Sequence, residues 1–338
     1  MQSGSSVAPH EVERRGADAL HDGMVWIPGG TFQMGSSNHY PEERPVHSET
    51  VAGLWIDKYT VTNERFARFV DETQYVTVAE RPARAEDYPG AKPEMLAPAS
   101  VVFQKPAGRV DLRNHFNWWT YVPGANWLHP EGPESDIKDR DQHPVVHVAY
   151  EDALAFAKWV GKELPTEAEW EFAARGGLDS ATYAWGEEFT PHNQHMANTW
   201  QGEFPWLNLC SDGYDRTAPV GRFPPNGYGL FDMIGNVWEW TTDWYTSRHF
   251  PKACCTGESA KGNREQSYDP TMPEIQIPRR VIKGGSFLCA PNYCRRYRPA
   301  ARMPQAVDTA ACHVGLRLIV RTRSQHSESA CHRGDSGK

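Results

Sequence analysis

Apolar positions fall into a regular spacing in only a few stretches of this chain, and those stretches define the elements it predicts. From Met24 to Gly35 the order is a short strand-like run, a Gly29-Gly30 turn and a second run through Thr31-Phe-Gln-Met34. Two such runs about a glycine turn are the signal of a β-hairpin. Leu54-Trp-Ile-Asp-Lys-Tyr59 predicts another strand. Helical spacing occurs three times. Thr62 can cap a first helix that carries Phe66, Phe69 and Val70 on one face. Ala153, Phe156, Ala157 and Val160 predict a second, over about 150–160. The third starts at Thr166-Glu-Ala-Glu169, a capping box in which Thr and Glu satisfy each other's free amides. It runs through Trp170 and Phe172 and stops at Gly176-Gly177. Beyond it almost nothing is helix-periodic, and no internal repeat is present. A loop-rich segment as long as 178–300 needs something to hold it, and bound metal is one candidate.

Composition sharpens this picture. The chain has 338 residues, 39% hydrophobic and 23% charged, which suits a globular protein with a sizeable core. Thirteen Trp, 28 Gly and 26 Pro point to a loop-rich body whose core is built largely from aromatic rings. A net charge of −8 argues against nucleic acid or an anionic membrane as partner. No apolar run is long enough to span a membrane. Residues 1–21 read as a mobile extension without the apolar core of a secretory signal, 22–322 as one domain, and 323–338 as a mobile tail. The seven cysteines are odd in number and scattered, so they do not form a disulfide framework. The expectation is a cytoplasmic, monomeric protein with mostly reduced thiols.

One cysteine pair stands out. Cys289 and Cys294 lie in Lys283-Gly-Gly-Ser-Phe-Leu-Cys-Ala-Pro-Asn-Tyr-Cys-Arg-Arg-Tyr-Arg298. Two thiols at this spacing can close a small disulfide, hold a thiophilic metal or exchange with a substrate thiol. Gly284 and Gly285 let the backbone turn or approach closely. Arg295, Arg296 and Arg298 place positive charge beside the sulfurs, which favours the thiolate. By contrast, Pro144 and two valines separate His143 from His147. That spacing predicts a strand and structural hydrogen bonding, where a helix would have offered a metal pair.

Seven separated motifs occur in order: Trp26-Ile-Pro-Gly-Gly-Thr-Phe-Gln-Met-Gly35, Pro45-Val-His47, Val61-Thr-Asn63, His143-Pro-Val-Val-His147, Leu164-Pro-Thr-Glu-Ala-Glu-Trp-Glu171, Gly235-Asn-Val-Trp-Glu-Trp240 and Lys283-Gly-Gly-Ser286. Together they resemble the sulfatase-modifying-factor family, and within it the formylglycine-generating enzymes, from about Asp22 to Arg321. The resemblance implies a single irregular α+β domain, a C-type-lectin-like variant with little regular secondary structure. It also implies an activity. A cysteine in a Cys-x-Pro-x-Arg segment of an unfolded sulfatase is oxidised by O2 to Cα-formylglycine, through loss of a Cβ hydrogen and hydrolysis of a thioaldehyde. Cys289 and Cys294 would hold Cu(I), which soft thiolates select, and the substrate sulfur would join them. Ser286, Trp238 and Tyr293 would line the pocket, and Arg298 would border the peptide groove.

The same resemblance implies calcium in two places. Asn198 and Asp212 side chains with the Thr199 and Tyr214 carbonyls would form one site. Asp232 and Glu239 carboxylates with the Gly235 and Val237 carbonyls would form the other. Hard cations take such oxygen sets. On spacing alone each cluster reads as a polar turn, and neither has the EF-hand pattern. Pro299 and Leu318 stand where some secreted relatives place cysteines, so those bridges cannot form. Ala290-Pro291 departs from more polar versions of the turn. Cys254, Cys255, Cys312 and Cys331 acquire no role. Two rivals stay open: an iron-dependent sulfoxide synthase on the same scaffold, and a calcium-stabilised binding module without catalysis.

Overall fold

The computed structural model describes residues 20–249 and 262–322. Cys254, Cys255, Cys331 and nearly all of the two expected extensions lie outside the described residues. Among the described residues the architecture is α+β, with four small sheets, three α-helices and long connecting loops. Strands β1 (Met24–Ile27) and β11 (Ile319–Arg321) flank β4 (Leu54–Asp57) in an antiparallel three-stranded sheet. β2 (Gly30–Met34) pairs with β3 (His47–Val51), and β5 (Ala99–Phe103) with β6 (Trp119–Pro123). The fourth sheet has the order β10-β7-β8-β9, from Val314–Gly315, Trp238–Trp244, Arg279–Lys283 and Arg302–Ala306.

Both strands expected around Gly29-Gly30 exist, but they do not form a hairpin. β1 pairs with β4 and β2 with β3, in separate sheets. The reason is visible at Gly29. A Cβ there would meet Gly53 N and Val51 O, each at 2.7 Å, so Gly29 is where two chain segments cross. The glycine serves close approach here, as glycines in strand patterns often do.

The helices follow the sequence closely. Helix α1 (Asn63–Thr73) is capped by Thr62 Oγ1, which accepts from Arg65 N, and buries Phe66 and Phe69. Helix α2 (Tyr150–Trp159) buries Ala153, Phe156 and Ala157. Phe66 packs at 5.7 Å on Phe156 and edge-on to Trp127, so aromatic contacts join the two helices. Helix α3 (Glu167–Arg175) has the full capping box between Thr166 and Glu169, and Gly176 ends it at φ 60°. β7 is buried on both faces, with Trp238, Glu239, Trp240 and Thr241 all inside.

His143 and His147 lie at bends in a loop, His147 with φ 59°, and not in the expected strand; an isolated bridge at Pro144 and the His147 N–H on Ala311 O tie the loop down. Their role is structural. His147 is wholly buried, with Nδ1 on Ser100 Oγ at 2.6 Å and Nε2 on Pro130 O at 2.8 Å. Burial pushes its pKa down to about 4. A histidine kept neutral in this way stabilises the fold fully above its unfolded pKa near 6.5, and that stabilisation falls as pH drops toward 4. The melting temperature is therefore expected to fall between pH 6.5 and 4.5, with a shallower slope in His147→Gln. An equal slope in the variant would show that other groups carry the acid sensitivity.

Candidate active site

β8 ends at Lys283, and two glycines turn the chain into the cysteine segment. Gly284 and Gly285 have φ of 98° and 76°. A Cβ on Gly284 would lie 2.9 Å from Met233 O, and one on Gly285 3.0 Å from Arg296 O. No other residue fits either place. Cys289 N donates to Ser286 O at 2.9 Å, and Cys294 N to Ala290 O at 2.9 Å, so 290–294 is one helical turn. Pro291 at its start gives up no needed amide. Both sulfurs point inward to the same spot, with Sγ atoms 3.2 Å apart. That is well beyond the roughly 2.0 Å of a disulfide. Both are free thiols, as are Cys210 and Cys312.

The two sulfurs are inequivalent. Cys289 is 2% exposed, and burial pushes its thiol well up, with the sulfur of Cys294 adding to the effect. Cys294 goes the other way. The hydrogen bond from Cys289 holds it below the usual thiol range, and Arg296 helps against the opposing cost of burial. The two thiols titrate as a pair, and of the two Cys294 is the one whose thiolate form is favoured. Arg296 is itself fixed, by Glu42 Oε1 and by the Tyr40 ring 3.9 Å beneath its guanidinium. Tyr40 and Glu42 carry no sequence signal, because they lie some 250 residues from the arginine they position.

Ser286 is buried below the pair. Its N–H points at Cys289 Sγ at 3.4 Å, and its hydroxyl accepts from Leu288 N. Tyr293 is 38% exposed and forms the outer wall, stacked on Phe204 at 4.5 Å with Trp118 edge-on at 5.2 Å. Burial raises its phenol to about 12, so it stays protonated at neutral pH. Trp238 is buried in the same apolar cluster as both cysteines. Arg298 lines a cavity of about 150 Å³ together with the 35–39 and 180–182 loops. Its guanidinium is buried, held by both carboxylate oxygens of Glu43 and by Arg295 O, so it clamps the 40–45 loop onto the cysteine segment.

Two stretches, the 198–214 loop and the chain at Gly235, are stitched to the turn. Trp200 N donates to Cys289 O, Asn292 exchanges two hydrogen bonds with Phe204, and Gly235 N donates to Gly284 O. The first of these carries the first expected calcium cluster. Asn198 is fully buried, and its Oδ1 meets no donor. Asp212 Oδ2 accepts from Thr199 N and from Gln201 Nε2, which also contacts the Thr199 carbonyl. Asp212 Oδ1 accepts from Tyr214 N. An orphaned amide oxygen beside a carboxylate and a carbonyl gathered on one donor is a set that fits a hard cation.

The second expected cluster does not fit one. Glu239 receives Arg317 on both carboxylate oxygens and the Trp170 indole N–H at 2.6 Å. Asp232 Oδ2 accepts from Gly221 N, and burial raises its carboxyl to about 6. With Glu239 satisfied by a guanidinium, Asp232 and the Gly235 and Val237 carbonyls lack the second carboxylate of that set. Among the described residues no three His, Cys, Asp or Glu side chains converge as a metal group.

A family model described as the sulfatase-modifying factor enzyme 1-like domain matches residues 9–322. The chain belongs to that family. Among the relatives of this sulfatase-modifying factor domain, the formylglycine-generating enzyme of Mycobacterium tuberculosis is 53% identical over 296 residues, covering 88% of this chain and 97% of its own. The formylglycine-generating enzyme of Thermomonospora curvata is 47% identical over 317 residues, covering 91% and 96%. Of solved structures, PvdO from Pseudomonas aeruginosa superposes with a TM-score of 0.54 at 22% identity, covering 88% of this chain and 93% of that one, a likeness of fold. No described helix is long and apolar enough to cross a membrane.

Proposed function

We propose that this chain converts a cysteine in a Cys-x-Pro-x-Arg segment of an unfolded sulfatase to Cα-formylglycine, with O2 as oxidant and Cu(I) as cofactor. The observation that carries the reading is the pair of free, buried sulfurs 3.2 Å apart. Cys289 and Cys294 would hold the ion, since two thiolates select a soft monovalent metal over hard cations. Bound there, it would supply the activation of O2 that side chains alone cannot provide.

The protein's own groups do the rest. Arg296 keeps the negative charge on Cys294 favourable in a buried place. Ser286 N–H steadies the sulfur of Cys289. Tyr293, Phe204 and Trp118 form a wall that excludes water from the outer side, and an extended peptide can lie against it. In the net reaction the substrate Cβ–H and S–H are oxidised to a thioaldehyde. O2 takes those two electrons and two more from two equivalents of added thiol, which leave as a disulfide, and becomes two waters. Hydrolysis then exchanges sulfur for oxygen and releases hydrogen sulfide.

The test is incubation of the copper-loaded protein with such a peptide and a thiol reductant in air. The expected product is lighter by about 18 Da, the protein supplying orientation and the metal the hard chemistry. An unchanged peptide mass would exclude the reading. We assign calcium to the Asn198, Thr199, Asp212 and Tyr214 cluster alone. Because that loop is bonded to Cys289 and Asn292, chelation is expected to lower the melting temperature, and Asp212→Ala to abolish the chelator's effect. An equal chelator effect in Asp212→Ala would place the cation elsewhere.

A further inference from the structure

A cavity of about 590 Å³ opens beside β5, and no residue of the cysteine turn lines it. Its floor is Ala99 and Val101 with the chain at 307–310, and its walls are the start of α2 and the 78–96 segment. The volume lies in the range of small-molecule sites, roughly 300–1,000 Å³. The walls are pinned. Val78 N donates to Asp152 Oδ1 at 3.0 Å, Ala83 N to Leu96 O at 2.9 Å, and Arg81 pairs with Glu151 at 3.0 Å. The cavity is thus preformed, which lowers the entropy cost of filling it.

Its charges are distributed unevenly. Arg81 is matched by Glu151, and Arg84 by Glu86 and Asp87. Asp308 lines the cavity and pairs with no cation among the described residues. Its carboxylate receives only hydroxyls, Tyr88 on Oδ2 at 2.5 Å and Thr309 on Oδ1 at 3.3 Å. Tyr121 lines the same cavity. The lining therefore includes an unmatched carboxylate together with two tyrosines, one of them bonded to it. It also includes the apolar side chains of Val101, Leu96 and Leu154.

We propose that this cavity binds a small amphipathic monocation, an alkylammonium whose charged head meets Asp308, with Tyr88 and Tyr121 in the same lining. A charge-assisted hydrogen bond and the faces of two phenols favour such a head over a neutral or anionic one. The apolar chain lies along Val101, Leu96 and Leu154. The site does not depend on the copper reading, and its failure would leave that reading untouched.

Hexylamine, hexanol and hexanoate, titrated separately by calorimetry against the full chain, test it. Hexylamine is expected to bind saturably at one site, hexanoate not at all, and hexanol more weakly. Asp308→Asn is expected to weaken hexylamine about tenfold, or about 1.4 kcal/mol, while peptide conversion stays at the wild-type rate. Leu154→Trp, on a side chain 44% exposed and therefore tolerant of change, is expected to fill the cavity and remove binding. No saturable binding of hexylamine, equal binding of hexanol or hexanoate, or unchanged affinity in Leu154→Trp each overturns the proposal. So does unchanged affinity in a folded Asp308→Asn.

Discussion

Cys294→Ser is expected to lower kcat/KM for peptide conversion by more than about 100-fold, beyond the 10–100-fold that changes in outer-shell partners of a metal cost. The melting temperature should move by only a few degrees, because this cysteine closes the end of one helical turn and anchors no sheet. Serine keeps the turn's backbone hydrogen bond and removes the soft ligand. Cys289→Ser should lose activity equally but cost more stability, since its sulfur is buried against the Ser286 amide. Mass spectrometry of the peptide and competition titration with Cu(I) give both readouts. Full turnover with copper still bound in either variant would remove the sulfurs from the mechanism. The pH dependence has a definite sign. Cys294 is held below its ordinary range, so its thiolate is present at neutral pH, and copper uptake weakens as pH falls through the folded value. Arg296→Met withdraws part of that support. The weakening should then set in at a higher pH.

Local signals carried the sequence reading and long-range ones escaped it. Thr62, the Thr166–Glu169 box and Gly176 act within a few residues of one another, so all three helices were legible. The cysteine turn was legible for the same reason, through Gly284, Gly285 and a five-residue spacing. The Gly29-Gly30 hairpin was misread because a strand's own pattern says nothing about its partner. Gly29 is a glycine on account of Gly53 and Val51, which only the fold brings near. Arg298 shows the same limit. Its position in the motif suggests a groove, and it does line a cavity, but its charge is met by Glu43, 255 residues away. Side chains that complete a site from such a distance leave no spacing to read.

The largest expected loss of stability follows from the Arg317–Glu239 pair, which stands where a second calcium was expected. Arg317 is fully buried and uses every N–H it has. Nε and Nη2 meet Glu239, Nη2 also meets Phe231 O, and Nη1 meets the Asp57 and Lys58 carbonyls. One guanidinium thus ties β4, β7 and the turn at Phe231 together, and Trp170 of α3 joins through Glu239. Arg317→Met would leave the Glu239 carboxylate buried and unpaired. Breaking such a pair costs about 3–5 kcal/mol, which at roughly 2–4 °C per kcal/mol lowers the melting temperature by about 10 °C. A Glu239→Leu/Arg317→Met double variant should recover part of that loss, since no bare charge then remains. Calcium separates the two accounts of Glu239. If the guanidinium satisfies this carboxylate, the rise in melting temperature on adding calcium is the same in the wild type and in Glu239→Gln. If calcium no longer raises the melting temperature of Glu239→Gln while Asp212→Ala still responds, the carboxylate serves a cation and Arg317 is its neighbour only.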